Sequence, residues 1–507
     1  MRLWQILVAA ALVLVALVLM RPLLPIDETR YLSVAWEMWL SGDPVHLTKN
    51  GATYTHKTPL LFGMINLVWL LTGVSEFAAR LVGPACAVAM IGGTAVLARR
   101  LWPDQDLGVR AALILLGFAV FLIYGSATMF DALLGLGVLG GVAALWRIGQ
   151  GGGLRAWAGF GLALAFGVYA KGPVIFVHLM PLVLALPFWA PVKPKLSAVL
   201  QGFGLALLVA LGLVALWLVP TLITATPEFR TELLWTQSAA RVAGGMAHDR
   251  PIWFLLALVP LILFPWGWNW GAWRAAFSLR ADPAMRLCAI WAAATLILFS
   301  LISGKQAHYL LPAFPAMALI FARAGQQRRS FAALPLLAIA GLLVVLGPGL
   351  IPPGGDITLQ PAIWPIMAFA GLCGVLGLAL WRLPLLPGHL LAGVGLALGM
   401  HAVIAATGLY AAYDGRRLAD KLAPYAEDGL AVVNAEYHAE INFLARLTAP
   451  VAHLTEAAAL REWAMAHPKG MIFGRVKENP LTAGPQEVLH YMGQDWGLWP
   501  AASISRE

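Results

Sequence analysis

The sequence predicts an α-helical polytopic membrane protein that ends in a small α/β domain, and three observations carry that prediction. Of its 507 residues 60% are apolar and only 12% are charged, with a mean hydropathy of +0.78, far outside the range of soluble domains. Apolar runs recur at lengths that cover roughly 30 Å of hydrocarbon at about 1.5 Å per residue. Beyond residue 413 the runs shorten and alternate with helical patterns, which is the signature of strands and helices around a small sheet. The chain therefore divides into a membrane domain, 1–413, and a terminal domain, 414–507.

Thirteen candidate spans follow one another, near 3–24, 78–98, 109–130, 131–147, 156–170, 172–189, 197–220, 251–273, 286–303, 307–323, 331–350, 361–381 and 388–412. Arg2 ahead of the first run imitates a secretory signal. The run continues into MRPLLPIDE without a small-residue cleavage pattern, however, so it reads as an uncleaved first helix. The segment YLSVAWEMWLSGD (31–43) reads as an amphipathic helix lying on the membrane and ended by Gly42. PLLFGMINLVWLLTG (59–73) carries Asn66 and is short for a crossing, so it is expected to be interfacial or re-entrant.

With the N-terminus inside and thirteen crossings, the inner connections collect fifteen basic residues, including Arg99, Arg100, Arg110, Arg274, Arg280 and Arg286, against Asp104, Asp106 and Asp282 alone. This is an unbroken positive-inside pattern. The net charge of +9 is thus largely topological and calls for no nucleic-acid partner. Cys86, Cys288 and Cys373 all lie in apolar spans, which argues against disulfides and against a thiolate metal cage. In the terminal domain GLAVVNA (429–435), APVAHL (449–454) and KGMIFGRV (469–476) read as strands, and TEAAALREWAMAHP (455–468) as a helix. Nine basic and twelve acidic residues leave it without a cationic patch, and it reads as a cap or an acceptor-positioning domain.

The same topology puts six polar motifs on the outer face: PIDETRYL (25–32), THKTP (55–59), the stretch around Asp131, AKGP (170–173), the loop 226–250 and SGKQAHYLLP (303–312). Carboxylates at a membrane edge cost free energy unless they have partners or work to do. Asp27 and Glu28 follow the first span directly, and Asp131 stands alone at the outer end of another. Lys57 before Pro59 offers a point charge to a lipid phosphate. Lys171 sits in a Lys-Gly-Pro corner, where a helix beginning at Pro173 would turn free N–H groups and a positive dipole toward an anion. Lys305, His308 and Tyr309 crowd the start of a further span. Each has a plainer reading, as a snorkelling lysine, an interfacial anchor or an aromatic belt residue. Together they suit a site acting on a lipid-borne anion.

Taken in order, PIDETRYL, YTHKTP, SEFAARL (75–81), the Asp131 helix, YAKGP, LILFPW (261–266) and SGKQAHYLLP resemble the bacterial membrane glycosyltransferases of the GT-C superfamily. The likeness covers about residues 22–325 and is greatest to the lipid A aminoarabinose transferases, relatives of the protein O-mannosyltransferases. It implies a polyprenyl-phosphate-linked sugar donor and transfer on the periplasmic face of the inner membrane. The acceptor would be lipid A, another lipopolysaccharide component or an envelope protein. Carried onto matching positions, the family's roles make Asp27 the principal catalytic carboxylate and Asp131 a second one. Arg30, Lys57, Lys171, Arg241 and Tyr309 would line the donor phosphate site with Lys305 beside them, and Glu28, His56 and His308 would lie near sugar or acceptor. At His56 the aminoarabinose transferases usually carry glutamate, so this position taken alone implies a different donor, a neutral hexose or a uronic acid.

The chemistry agrees on independent grounds. Breaking the sugar C1–O bond leaves a phosphate anion, which cations stabilise, and an oxocarbenium-like centre, which carboxylates stabilise. Attack in one step from the opposite face inverts the anomeric centre. The Asp27–Glu28 pair is too common a pattern to define a metal site, and no metal or other cofactor is implied. A lipid transporter or flippase is the rival from another class. Coupled transport places ionisable groups near the bilayer midplane, whereas here His178, His389 and His401 are isolated there.

Overall fold

A computed structural model describes residues 2–232, 250–325, 330–346, 363–478, 481 and 483–504. The first helices are α1 (Leu3–Leu19), α2 (Asp27–Ser41), α3 (Leu60–Thr72), α4 (Glu76–Arg80) and α5 (Val82–Leu101). They continue through α6 (Gly108–Leu116), α7 (Ala119–Gly125), α8 (Phe130–Gly149), α9 (Leu154–Lys171) and α10 (Val174–Leu184). Further helices include Leu196–Thr224, Pro283–Leu301, Phe314–Ala324, Ile363–Arg382 and Leu385–Ala406.

Among the described residues seven helices are long and apolar enough to cross a membrane, or eight if the pair α6 and α7, bent by 75°, forms one span. The other expected spans are shorter or broken, except 156–170, which forms the continuous 18-residue α9 but is not apolar enough to count among the seven. The run 251–273 becomes Phe254–Ile262, a 3-10 turn at Trp266–Trp268 and a new helix from Trp270, interrupted at Pro265. The run 172–189 divides at Ala185, just after a helix that already contains Pro181. Proline removes a backbone donor and crowds the preceding turn, so an apolar run containing one need not be a straight span.

α2 owes its start to Asp27 and Glu28 in the first turn, where the helix dipole favours negative charge. It ends at Gly42, as the sequence predicts. It does not lie open on a membrane surface, because residues 439–447 of the terminal domain cover it. The Ser33 hydroxyl donates to the Ala439 carbonyl at 2.7 Å, Trp36 donates to Leu447 O at 2.8 Å, and Phe443 stacks on Trp69 of α3 at 5.4 Å. α3 itself is a 13-residue helix packed under α2 through Leu61, Phe62, Ile65 and Trp69, consistent with the short-segment reading.

The terminal domain carries a five-stranded sheet in the order β4-β3-β5-β7-β6. The strands are β3 (Leu430–Val433), β4 (Ala452–Leu454), β5 (Met471–Arg475), β6 (Glu487–Tyr491) and β7 (Gln494–Pro500), while β1 and β2 form a separate hairpin at Thr48–Lys49 and Ala52–Thr53. β3 pairs in parallel with β4 and β5, and β7 is antiparallel to β5 and β6. Sequence reasoning found β3, β4, β5 and the helix Ala457–Ala466, but missed the β6–β7 hairpin. Its two-residue turn has φ of +56° at Met492 and +75° at Gly493. Positive φ at both central residues is what a type I′ turn demands, and Met-Gly lacks the Asn-Gly pattern that announces one.

Candidate active site

The start of α2 places Asp27, Arg30 and Tyr31 on one helical face, three and four residues apart. Asp27 Oδ1 accepts from the Arg30 guanidinium and, at 3.1 Å, from the Tyr31 hydroxyl. Among the described residues its Oδ2 has no such partner. Burial works to lower the proton affinity of Arg30, but Tyr54, Tyr31 and Asp27 outweigh it and hold the guanidinium charged. Beneath them Tyr31, Phe62 and Phe130 pack edge to face, with centroids 4.9 and 5.5 Å apart for the two Phe130 contacts. This aromatic floor fixes α2 against the first turn of α8, where Asp131 sits.

Asp131 is 2% exposed. Lys171 Nζ donates to its Oδ1 at 2.6 Å, and His308 Nε2 lies 3.7 Å from its Oδ2. The sequence foresaw why Lys171 is there: it ends α9, and α10 begins directly after Pro173. Its ammonium also lies 4.7 Å from the Tyr309 ring centroid. Lys171 is therefore a partner of Asp131 before it is a phosphate ligand. Lys57 stands 6.0 Å from the Tyr31 ring and 5.8 Å from the Phe130 ring, at the junction of the two carboxylate-bearing helices. A cavity of about 520 Å³ opens on Asp27 and His308 and is lined further by Tyr124, Gln306, His401 and Tyr410.

The structure thus gathers Asp27, Arg30, Lys57, Asp131, Lys171, His308 and Tyr309. Arg241, assigned to the donor phosphate from the sequence, lies outside the described residues. Lys305 is turned elsewhere, its ammonium donating to Arg250 O at 2.7 Å and to Ser303 O at 3.4 Å. Glu28 is not a group waiting for a sugar. Its carboxylate is buried against the Arg21 guanidinium and accepts from Leu24 N at 3.2 Å and Thr128 N at 2.7 Å. Sequence reasoning missed Arg21, although the lone arginine at the outer end of the first span, against the positive-inside trend, was a usable signal. It missed Arg80 too, which caps the chain around Arg21 by donating to Val18 O, Arg21 O and Pro22 O.

His56 is half exposed, with its Nε2 4.0 Å from the Glu232 carboxylate. Thr55 Oγ1 donates to the same carboxylate at 2.7 Å. Burial depresses the His56 proton affinity, with Lys57, Arg30 and Lys49 pushing the same way against Glu232, so the ring is neutral near pH 7. Glu232 was not singled out in the sequence, because it is distant in the chain and nothing local marks it.

A helical membrane domain with paired carboxylates and lysines at one end, capped by a small sheet domain, defines a polytopic membrane glycosyltransferase of the GT-C fold. Residues 56–224 match the dolichyl-phosphate-mannose-protein mannosyltransferase family. The chain is 30% identical over 383 residues to the undecaprenyl phosphate-α-4-amino-4-deoxy-L-arabinose arabinosyl transferase of Pseudomonas paraeruginosa, covering 71% of this chain and 67% of that one. A second such transferase, from Pseudomonas fluorescens, is 31% identical over 312 residues, 59% of this chain and 52% of its own length. The fold superposes on ArnT from Cupriavidus metallidurans bound to undecaprenyl phosphate, with a TM-score of 0.76, 21% identity and 98% coverage of both chains. The apo form of that protein gives a TM-score of 0.78 at 19% identity. The chain belongs to the family of undecaprenyl phosphate-aminoarabinose arabinosyl transferases.

Proposed function

We propose that this protein transfers 4-amino-4-deoxy-L-arabinose from undecaprenyl phosphate to lipid A, with inversion, on the periplasmic face of the inner membrane. One observation carries the reading: Asp27 on α2 and His308 line one cavity, the second carboxylate, Asp131 on α8, lies directly behind His308 at 3.7 Å, and Lys57 stands between the two carboxylate-bearing helices. The cations at Lys57 and Arg30 receive the departing phosphate. The carboxylates stabilise positive charge building at the sugar C1. An acceptor phosphate attacks as an anion and leaves no proton to remove, so Asp27 orients it and stabilises charge. An acceptor hydroxyl gives its proton to Asp27 Oδ2 as the C1–O bond forms. Lys171 holds Asp131 in place through its hydrogen bond, with His308 packed beside the other oxygen.

His56 alone pointed to another donor sugar. Glu232 revises that expectation, because it brings a carboxylate to the side of His56 from a different part of the chain and so keeps the region suited to a cationic amino sugar. The match of residues 56–224 to the protein mannosyltransferases favours a protein acceptor as the second reading. Purified protein in nanodiscs, given undecaprenyl phosphate-aminoarabinose with lipid A or with a secreted-protein extract, separates the two by mass spectrometry. Modified lipid A is expected. Sugar on protein alone establishes the second reading, and sugar on neither overturns both.

A further inference from the structure

The terminal domain has a crevice of its own. The connection leaving β3 covers the face of the sheet turned to α2, through Ile441 and Leu447 in the cluster with Val432 and Phe473. The connection leaving β4 runs through the helix Ala457–Ala466 on the opposite face, where Leu460 and Ala464 pack on Ala431, Val433 and Ile472. Where neighbouring parallel strands send their connections to opposite faces, the chain parts at their carboxyl ends and leaves a binding crevice. A cavity of about 580 Å³ lies there, lined by Asn434 and Glu436 to His438 after β3, His453 of β4, and Lys49 of the β1–β2 hairpin.

We propose that this crevice binds the saccharide headgroup of the acceptor. A sugar presents neighbouring hydroxyls that each donate and accept, and so needs a lining of both kinds. Lys49 donates and the exposed Glu436 carboxylate, with the His438 ring at 3.2 Å, accepts, whereas a phosphate alone would call for cations without carboxylates and a lipid tail for neither. Among the described residues the Lys49 ammonium has no hydrogen-bond or ion-pair partner. Asn50, next to it, is committed: its amide donates to Val451 O and accepts from Val451 N, each at 2.8 Å, which clamps the hairpin to the sheet beside the cavity. Glu37 of α2 holds the hairpin from the other side, accepting from Asn50 N at 2.5 Å. Glu37, which anchors the hairpin beside the crevice, is on the same α2 as Asp27, and the charges of Arg30 and Asp27 are felt at His438.

This assignment rests on the transferase reading, so its test has an arm that does not need turnover. Lys49→Gln and His453→Ala are introduced singly into the full chain in nanodiscs, with thermal unfolding as the folding control. Kinetics with lipid A as the varied substrate are expected to show the acceptor KM raised about tenfold, with donor KM and kcat nearly unchanged. Saturation-transfer NMR with a soluble glucosamine disaccharide, with and without phosphate, is expected to show contact in the wild type that weakens in both variants. An unchanged acceptor KM in both variants, or equal saturation transfer to variants and wild type, overturns the crevice as the site. Disaccharide binding that the variants abolish, in a protein that transfers sugar from no donor, supports the crevice and overturns the transferase reading instead.

Discussion

Asp27 is set apart from the other acidic residues of the site by what its two oxygens do. Oδ1 is held by Arg30 and Tyr31, which fixes the carboxylate, and Oδ2 is left to act. Asp27→Asn keeps the shape and removes the charge, so transfer is expected to fall by about a hundredfold or more while the protein still binds undecaprenyl phosphate. Wild-type turnover by the purified variant would remove Asp27 from the chemistry. Glu232→Gln is predicted to raise the KM for the aminoarabinose donor by about fivefold, the scale of one partly exposed charge pair, and His56→Glu in that background is predicted to restore it. Donor kinetics that ignore both changes reject this account of sugar choice. The sequence made Asp27, Asp131, Lys57 and Lys171 legible because lone charges at membrane edges are costly and therefore conspicuous. Glu232 was not legible, since its meaning depends on a contact with Thr55 across 177 residues.

At the scale of elements, the turn from α1 into α2 is built around one buried ion pair. The side chains of Arg21 and Glu28 are 3% and 5% exposed, and Thr128 from the loop before α8 completes the carboxylate's shell. That loop can approach because Gly83 has no side chain, a Cβ there lying only 2.1 Å from Ala127 O. Burial works to raise the Glu28 proton affinity, but Arg21 and the Thr128 N–H outweigh it and hold the carboxyl below its ordinary value of 4.5. Because the folded value is depressed, the stabilisation is fully present above about pH 4.5 and is lost as pH falls through the folded value. Breaking such a pair from one side costs about 3 to 5 kcal/mol. Glu28→Gln is therefore predicted to lower the unfolding temperature at neutral pH and to flatten its decline in acid. A variant with the wild-type acid profile would show that the pair carries none of that dependence. Helix positions were readable from apolar periodicity, yet this pair was not, because periodicity reports which face is buried and says nothing of which charges meet inside.

For the whole molecule the decisive quantity is which side of the membrane holds the site. The terminal domain and the start of α2 share one side, since residues 439–447 bond directly to Ser33 and Trp36. They stand or fall together in any topology. At the opposite end Asp282 caps the helix Pro283–Leu301 through Ala284 N and Met285 N and pairs with Arg323 at 3.3 Å, so there too an acidic residue is used to hold helix ends in register. The broken runs show why composition overcounts straight spans: hydropathy sums over a window, whereas Pro265 and the 75° bend between α6 and α7 act at single positions. The expectation of thirteen crossings without the short α3 places fifteen basic residues in the inner connections, and it is this topology that labelling tests. A single cysteine at Asp420, in a chain whose Cys86, Cys288 and Cys373 are buried, is predicted to react with a membrane-impermeant maleimide in intact spheroplasts. One placed at Arg280 is predicted to react only after lysis. The reverse pattern would put the carboxylates, the crevice and the terminal domain in the cytoplasm and defeat the proposed periplasmic transfer at a stroke.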